Sequence, residues 1–324
     1  MYCPWPFYQL HIAENGDGTT CCPGWSSMVL GNVLETSPME LWHGERASQL
    51  RESITDQSFR YCINCGNPES LITPNPPATP LDLNTIGWLI LSYDPTCNLK
   101  CRSCRNEHRG PSETTRRIHE AVLSSGVLKH SLTVCMSGNG DPFASSLLWS
   151  LLTSDIECHP DMQLNLSTNG LLVTPERLRA ITDTGKKIGS IHISIDAATR
   201  ETYALNRGGD WYVLLKNMDS IRGYPCHRQF NLVAQANNFR EMEAFIDMAC
   251  DYNADAIHLS ALVNWGTYTR EEYLSRAVHL PSHPQYEEFK AMLTKPTFWN
   301  PKVRIAKLPI FRPGHRHDNR TVAP

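Results

Sequence analysis

The chain contains no run of about 20 consecutive apolar residues, so no helical membrane span is written into it. It has no excess charge of either sign: 30 Lys and Arg stand against 33 Asp and Glu, for a net charge of −3. No basic stripe stands out, which argues against nucleic acid as a partner. The first residues, Met1-Tyr2-Cys3-Pro4-Trp5, lack the basic region and apolar core of a secretory signal. Cysteine, by contrast, is abundant, with 12 residues. Without a secretion signal they argue for metal binding or catalysis rather than disulfides, and for a reducing cytoplasm. At 324 residues and 41% hydrophobic, the chain suits a sizeable core and roughly two domains.

Three cysteines are gathered in Cys97-Asn98-Leu99-Lys100-Cys101-Arg102-Ser103-Cys104, spaced C-x3-C-x2-C. The apolar run Trp88-Leu89-Ile90-Leu91 before them predicts a buried strand. Asp94, Pro95 and Thr96 break it, so the cysteines fall on a loop at its C-terminal end. Three thiolates can hold three corners of a cubane iron–sulfur cluster, and no fourth cysteine lies nearer than Cys135. One iron would then be open to an outside ligand. A zinc loop is the simpler alternative, but zinc sites favour paired C-x2-C units.

On Cys97, Cys101 and Cys104 the chain resembles the radical S-adenosylmethionine superfamily, in which the amino acid end of S-adenosylmethionine chelates the open iron. Relatives usually carry an aromatic residue before the third cysteine, where this chain has Ser103.

The first segment, residues 1–66, carries Cys3, Cys21, Cys22, Cys62 and Cys65. Asn15-Gly16-Asp17-Gly18 reads as a hairpin turn, Ser37-Pro38 as a helix start, and a second helical pattern runs to about Ile54. Cys62-Ile63-Asn64-Cys65 is a C-x2-C knuckle that a structural zinc could also use. So small a unit has little core, and bound metal would supply stability. As a whole the segment resembles the SPASM or twitch module of radical S-adenosylmethionine enzymes, placed here before the catalytic domain. The resemblance implies one auxiliary [4Fe–4S] cluster held by Cys3, Cys62, Cys65 and either Cys21 or Cys22. Residues 67–84, with five prolines, predict a stiff linker and a domain boundary.

From residue 85 to 293, six apolar or alternating strand patterns are separated by helical ones, which predicts an α/β fold with a parallel sheet. The resemblance implies a partial (β/α)6 TIM-like barrel, with functional groups at the C-terminal ends of the strands. Residues 294–324 form a C-terminal extension. After the second strand comes Ser137-Gly138-Asn139-Gly140-Asp141-Pro142, whose glycines permit close backbone approach. It resembles the family's glycine-rich motif for the methionine amino group, with Gly138, Gly140 and Asp141 as cofactor-binding residues. Ser167 and Asn169 after the third strand, and Ser194, Asp196 and Arg207 after the fourth, match family positions that reach the ribose and the methionine carboxylate. Cys135 and Cys250 read as core residues, and Cys158 as a loop residue without a metal partner. Cys226 is weighed as a hydrogen-atom donor and set aside.

The resemblance implies an oxidoreductase-type enzyme. Its reduced catalytic cluster cleaves S-adenosylmethionine to a 5′-deoxyadenosyl radical, which abstracts hydrogen from a substrate C–H bond. A flavodoxin or ferredoxin would supply the electron, and the auxiliary cluster would accept one from the substrate radical or support the substrate region. No added peptide-recognition domain is visible, so a small or carbohydrate-like substrate is expected, with oxidation or cross-linking of a ribosomally made peptide as the alternative. The rival from another class is a non-catalytic zinc or iron–sulfur binding protein.

Overall fold

The computed structural model describes residues 2–21, 25–63, 82–136, 138–306 and 308. Cys22, Cys65, Ser137, most of the 67–84 segment, and His315 and His317 lie outside the described residues. The chain folds as two compact units. One comprises Met1–Cys97, Arg109–Leu166 and Ala180–Gly189; the other comprises Asn98–His108, Ser167–Arg179 and Ser190–Pro324.

In the first unit, β1 (Gln9–Ile12) and β2 (Asp17–Thr19) form the hairpin expected at Asn15–Gly18, and β3 (Gly31–Asn32) pairs with β2. Ser37 caps α1 (Pro38–His43): its hydroxyl accepts from the Glu40 amide and the Glu40 carboxylate accepts from the Ser37 amide, two otherwise unpaired donors satisfied reciprocally. α2 (Glu45–Thr55) follows directly. Trp42 is fully buried, donates Nε1–H to the Leu83 carbonyl at 2.8 Å and lies under the Arg51 guanidinium. Arg51 in turn donates to the Pro6 carbonyl at 2.9 Å, which anchors the stretch that follows Cys3. β4 (Ile86–Leu91) pairs in parallel with β1 on one side and β5 (Ser131–Met136) on the other, so the cysteine-bearing N-terminal segment shares a sheet with the first predicted barrel strands. α3 (Glu113–Ser124) and α4 (Ser146–Thr153) flank β5 in the chain, and β6 (Gln163–Thr168) pairs with it. Leu89, Leu91, Val134, Met136, Leu164 and Leu166 are buried on one face of the sheet, while the alternate positions Trp88, Ile90, Thr133 and Asn165 are half-buried.

α5 (Pro175–Thr182) begins with Thr174 accepting from the Arg177 amide, as its Thr-Pro start predicts. β7 (Lys187–Ser194) enters the second unit at Ser190. There it pairs in parallel with β8 (His227–Ala234), β8 with β9 (Ala256–Ala261), and β9 with β10 (Val303–Ala306). α6 (Arg200–Asn206) and α7 (Trp211–Ile221) connect β7 to β8; α8 (Met242–Asp251) connects β8 to β9. Met242, Phe245, Ile246 and Ala249 make the buried stripe of α8 that their spacing predicts. α9 (Arg270–Leu274) and α10 (Tyr286–Leu293) precede β10, which the 294–324 extension contributes. Strands β4 to β9 are the six predicted βα repeats in order.

Candidate active site

In the first unit, β4 runs into Asp94, which is 2% exposed. Its carboxylate accepts from the Thr96 amide at 2.9 Å, the Thr96 hydroxyl at 2.6 Å, and the Ser145 hydroxyl. Ser145 also caps α4. Cys97 thus leaves a turn that a buried carboxylate fixes, whether or not metal is bound. The glycine-rich turn after β5 packs against the same turn: the Asp141 amide donates to the Thr96 carbonyl at 2.8 Å. A Cβ at Gly140 would lie 2.4 Å from the Asp94 carbonyl oxygen and 2.6 Å from that of Thr96. Gly138 takes φ +102°, a region open mainly to glycine. Asp141 is buried, and its Oδ1 accepts from the Phe143 amide at 3.0 Å. Glu14, from the β1–β2 turn, accepts from both Asn139 and Arg109. Ser145 and Glu14 have no signal in the sequence that marks them, and Asp94 is marked there only as part of the turn that breaks the strand.

Gly140→Ala should destabilise the protein by about 1–3 kcal/mol, the cost of overpacking where backbone must move. An unchanged chemical-denaturation midpoint would show that the two turns do not depend on this close approach.

The second unit holds Cys101 and Cys104. The Cys101 carbonyl accepts from the amides of Cys104 at 2.9 Å and Arg105 at 3.0 Å, a tight turn that sets the C-x2-C step. Each thiol faces a guanidinium. Arg207 Nη1 lies 3.4 Å from Cys101 Sγ, and Arg105 Nη2 lies 3.6 Å from Cys104 Sγ. Arg207 also pairs through Nε with Asp196 at 3.0 Å. Burial alone would lower the Arg207 pKa, but the charges of Asp196 and Cys101 outweigh it and raise it. Asn169 donates to Asn98 at 2.8 Å, tying the end of β6 to the cysteine loop. Ser167 and Ser194, near the ends of β6 and β7, are half-buried. The Tyr203 hydroxyl is buried and has no hydrogen-bond partner among the described residues.

In the N-terminal segment, Cys62 bridges Ser26 in an antiparallel pair, the Ser27 amide donates to the Tyr61 carbonyl, and the Ile63 amide donates to the Trp25 carbonyl. The run after Cys21 is thereby laid beside the first cysteine of the knuckle. Among the described residues, no three His, Cys, Asp or Glu side chains are gathered tightly enough for a single metal ion. Cys135 is buried in β5, its pKa pushed up to about 12 by burial, and Cys226 is pushed up to about 11. The Cys158 thiol faces the Ile156 carbonyl at 3.2 Å, an ordinary loop contact.

The donor set fits the anionic cluster that the resemblance implies. The three cysteines keep the C-x3-C-x2-C spacing in the sequence; in the second unit the Cys101 and Cys104 sulfurs each face a cationic N–H donor, and in the first the glycine turn packs against the turn that leads to Cys97.

No curated protein sequence matches the chain. Among solved structures, SuiB of Streptococcus suis with S-adenosylmethionine bound is 12% identical, covering 81% of this chain and 55% of its own, with a TM-score of 0.48. anSMEcpe, with AdoMet and Cp18Cys peptide bound, is 15% identical over 59% of this chain and 57% of its own, at a TM-score of 0.41. BtrN in complex with AdoMet and 2-DOIA is 16% identical over 42% and 61%, at 0.28. The chain therefore spans little more than half the length of SuiB. The profile of the Radical SAM superfamily matches residues 91–249, and that of the SPASM iron–sulfur cluster-binding domain matches residues 3–66. The chain belongs to the radical S-adenosylmethionine superfamily, with a partial TIM-like barrel and a SPASM module ahead of it, and its cofactors are S-adenosylmethionine and a catalytic and an auxiliary [4Fe–4S] cluster.

Proposed function

We propose that this enzyme directs radical chemistry at a C–H bond of a small, uncharged, hydroxyl-rich substrate of carbohydrate type, with oxidation or rearrangement as the net outcome. In this reading Cys97, Cys101 and Cys104 hold the catalytic cluster, and Cys3, Cys62, Cys65 and one of Cys21 and Cys22 hold the auxiliary one. Residues 1–66 are the auxiliary domain and residues 85–293 the catalytic barrel. Gly138, Gly140, Asp141, Ser167, Asn169, Ser194, Asp196 and Arg207 surround the cofactor. Bound together, the reduced cluster and S-adenosylmethionine supply one-electron cleavage of a C–S bond and a carbon radical that abstracts hydrogen. A flavodoxin or ferredoxin in a reducing cytoplasm serves as electron donor. No helix among the described residues is long and apolar enough to cross a membrane.

The observation that carries the substrate class is the polar face of β7–β9 in the second unit. Ile191, Ile193, Phe230, Leu232, Ile257 and Leu259 are buried on one face of these strands. The alternate positions Ser190, His192, Gln229, Asn231 and His258 are half-buried on the other. Register places His192 beside Gln229 and Asn231 beside His258, and Gln229 donates to Asn231 at 2.8 Å. Burial, reinforced by His227 and His258, pushes the His192 pKa down to about 4, and burial lowers that of His258. Both imidazoles are neutral at pH 7. Each offers one donor and one acceptor, as a hydroxyl does, and no charge for a carboxylate or phosphate. Arg304, next in register to His258, is exposed and turns back to the carbonyls of Pro301 and Val303.

Anaerobic protein given a reductant and S-adenosylmethionine should form 5′-deoxyadenosine, faster with members of a panel of neutral glycosides and cyclitols. Acceleration by peptides alone would replace this reading with peptide oxidation or cross-linking. No cleavage in a colourless protein would return it to a non-catalytic zinc binder.

Asp141→Asn should weaken S-adenosylmethionine binding by roughly 1.5–3 kcal/mol, the range for a hydrogen bond to a charged group. The amide keeps the oxygen that accepts from Phe143, so the turn should survive. Equal binding by calorimetry would reduce Asp141 to a turn residue.

Acidification provides a separate check on the neutral histidines. The folded pKa of His192, about 4, lies below the unfolded value of about 6.5, so the unfolded chain binds more protons between the two. Stability should be full above about pH 6.5 and fall as pH drops towards 4. His279, also pushed down to about 4 by burial and His283, shares the effect. His192→Asn should flatten part of the fall in thermal melts.

A further inference from the structure

We propose that Arg207, held in place by Asp196, sets the charge at the Cys101 sulfur and so raises the potential at which the catalytic cluster takes up its electron. The proposal rests on the reading of Cys101 as a cluster ligand. Its motive is geometry. Arg207 stands at the C-cap of α6 with its side chain 13% exposed, Nη1 3.4 Å from the Cys101 sulfur and Nε 3.0 Å from Asp196.

Asp196 is fixed on every side. Its side chain is 3% exposed, and its backbone takes φ +61°, which a non-glycine residue adopts only where surroundings enforce it. The surroundings here do so. Oδ1 accepts from the Val233 amide at 2.7 Å, and the backbone carbonyl accepts from the Asn206 and Asn238 side chains at 2.8 and 2.9 Å. Asn206 in turn accepts from Asn237 at 2.8 Å. The carboxylate that orients Arg207 is therefore set by the ends of β7 and β8, and does not depend on a bound cofactor.

A guanidinium has five N–H donors in a rigid fork. Nη1 donates to the sulfur, Nε lies 3.0 Å from the carboxylate as an ion pair without hydrogen-bond geometry, and Nη2 stays available for another acceptor, the methionine carboxylate included. Its action on the sulfur is distinct from that role. The reduced cluster carries one more negative charge than the oxidised one. A buried cation and an N–H···S hydrogen bond favour the reduced form, while a nearby carboxylate disfavours it. The electron comes from the external donor, and no other redox partner is required.

The guanidinium's charge predicts the sign of the shift. Full-length protein holding both clusters is titrated with dithionite, without S-adenosylmethionine, while the electron paramagnetic resonance signal that the Cys97/Cys101/Cys104 triple-alanine variant lacks is followed. Arg207→Met should move its midpoint to more negative potential. Arg207→Lys, which keeps the charge and loses the fork, should fall between the parent and Arg207→Met. Unchanged midpoints with full iron, or a shift to more positive potential in Arg207→Met, would overturn the proposal. So would weaker S-adenosylmethionine binding with no change in potential, which assigns Arg207 to the cofactor alone. A parent protein with no signal dependent on the three cysteines would overturn the cluster reading beneath it.

Discussion

Replacing Cys97, Cys101 and Cys104 together with Ala is expected to abolish 5′-deoxyadenosine formation and to remove about half the bound iron, since two clusters of one type share it. The fold should survive. The turn that presents Cys97 is fixed by Asp94 through Thr96 and Ser145, none of which needs a thiol. The turn at Cys101 is held by its backbone carbonyl, which alanine retains. Circular dichroism should therefore match the parent while activity is absent, which separates lost chemistry from lost structure. Arg207 and Arg105 each lose the sulfur they face, so a modest loss of stability is expected as well. Undiminished cleavage of S-adenosylmethionine by the triple variant would remove the cysteine loop from the mechanism.

The six strands β4 to β9 are legible because each carries an apolar run or a clean alternation. β1 and β10 are not. Gln9-Leu10-His11-Ile12 has two apolar residues in four, and becomes a strand because β4 offers it an edge. Val303-Arg304-Ile305-Ala306 lies beyond the last helix expected, and β9 gives it a partner in the same way. At the candidate site, spacing alone draws attention to the cysteines, and glycine-rich turns at strand ends to the cofactor-binding residues proposed there. What holds them is hidden. Asp94 and Ser145 lie 51 positions apart, and Glu14 and Asn139 lie 125 apart. Each is an ordinary polar residue until the fold brings it to its partner. Arg207 is legible as a cofactor residue only through resemblance, and its approach to the Cys101 sulfur is a fact of three dimensions.

The auxiliary module provides the other large expected effect. Cys62→Ala and Cys65→Ala should each lose about half the iron and lower the melting temperature, because a small cysteine-rich segment depends on its metal for folding energy. The pairing of residues 25–27 with 61–63 brings the Cys62 strand beside the run that follows Cys21 and Cys22. A cluster joined to both segments would cross-link them, and its loss should loosen that pairing first. The effect should stay local at the outset, because Arg51 holds the Pro6 carbonyl and Trp42 holds that of Leu83 without help from metal. A cluster with four protein ligands has no open iron, so these variants should still cleave S-adenosylmethionine in the absence of substrate. Of Cys21→Ala and Cys22→Ala, only one should lose the auxiliary iron, and the other should keep the full complement. If both keep it, the fourth ligand comes from elsewhere and the four-cysteine description of this module is wrong.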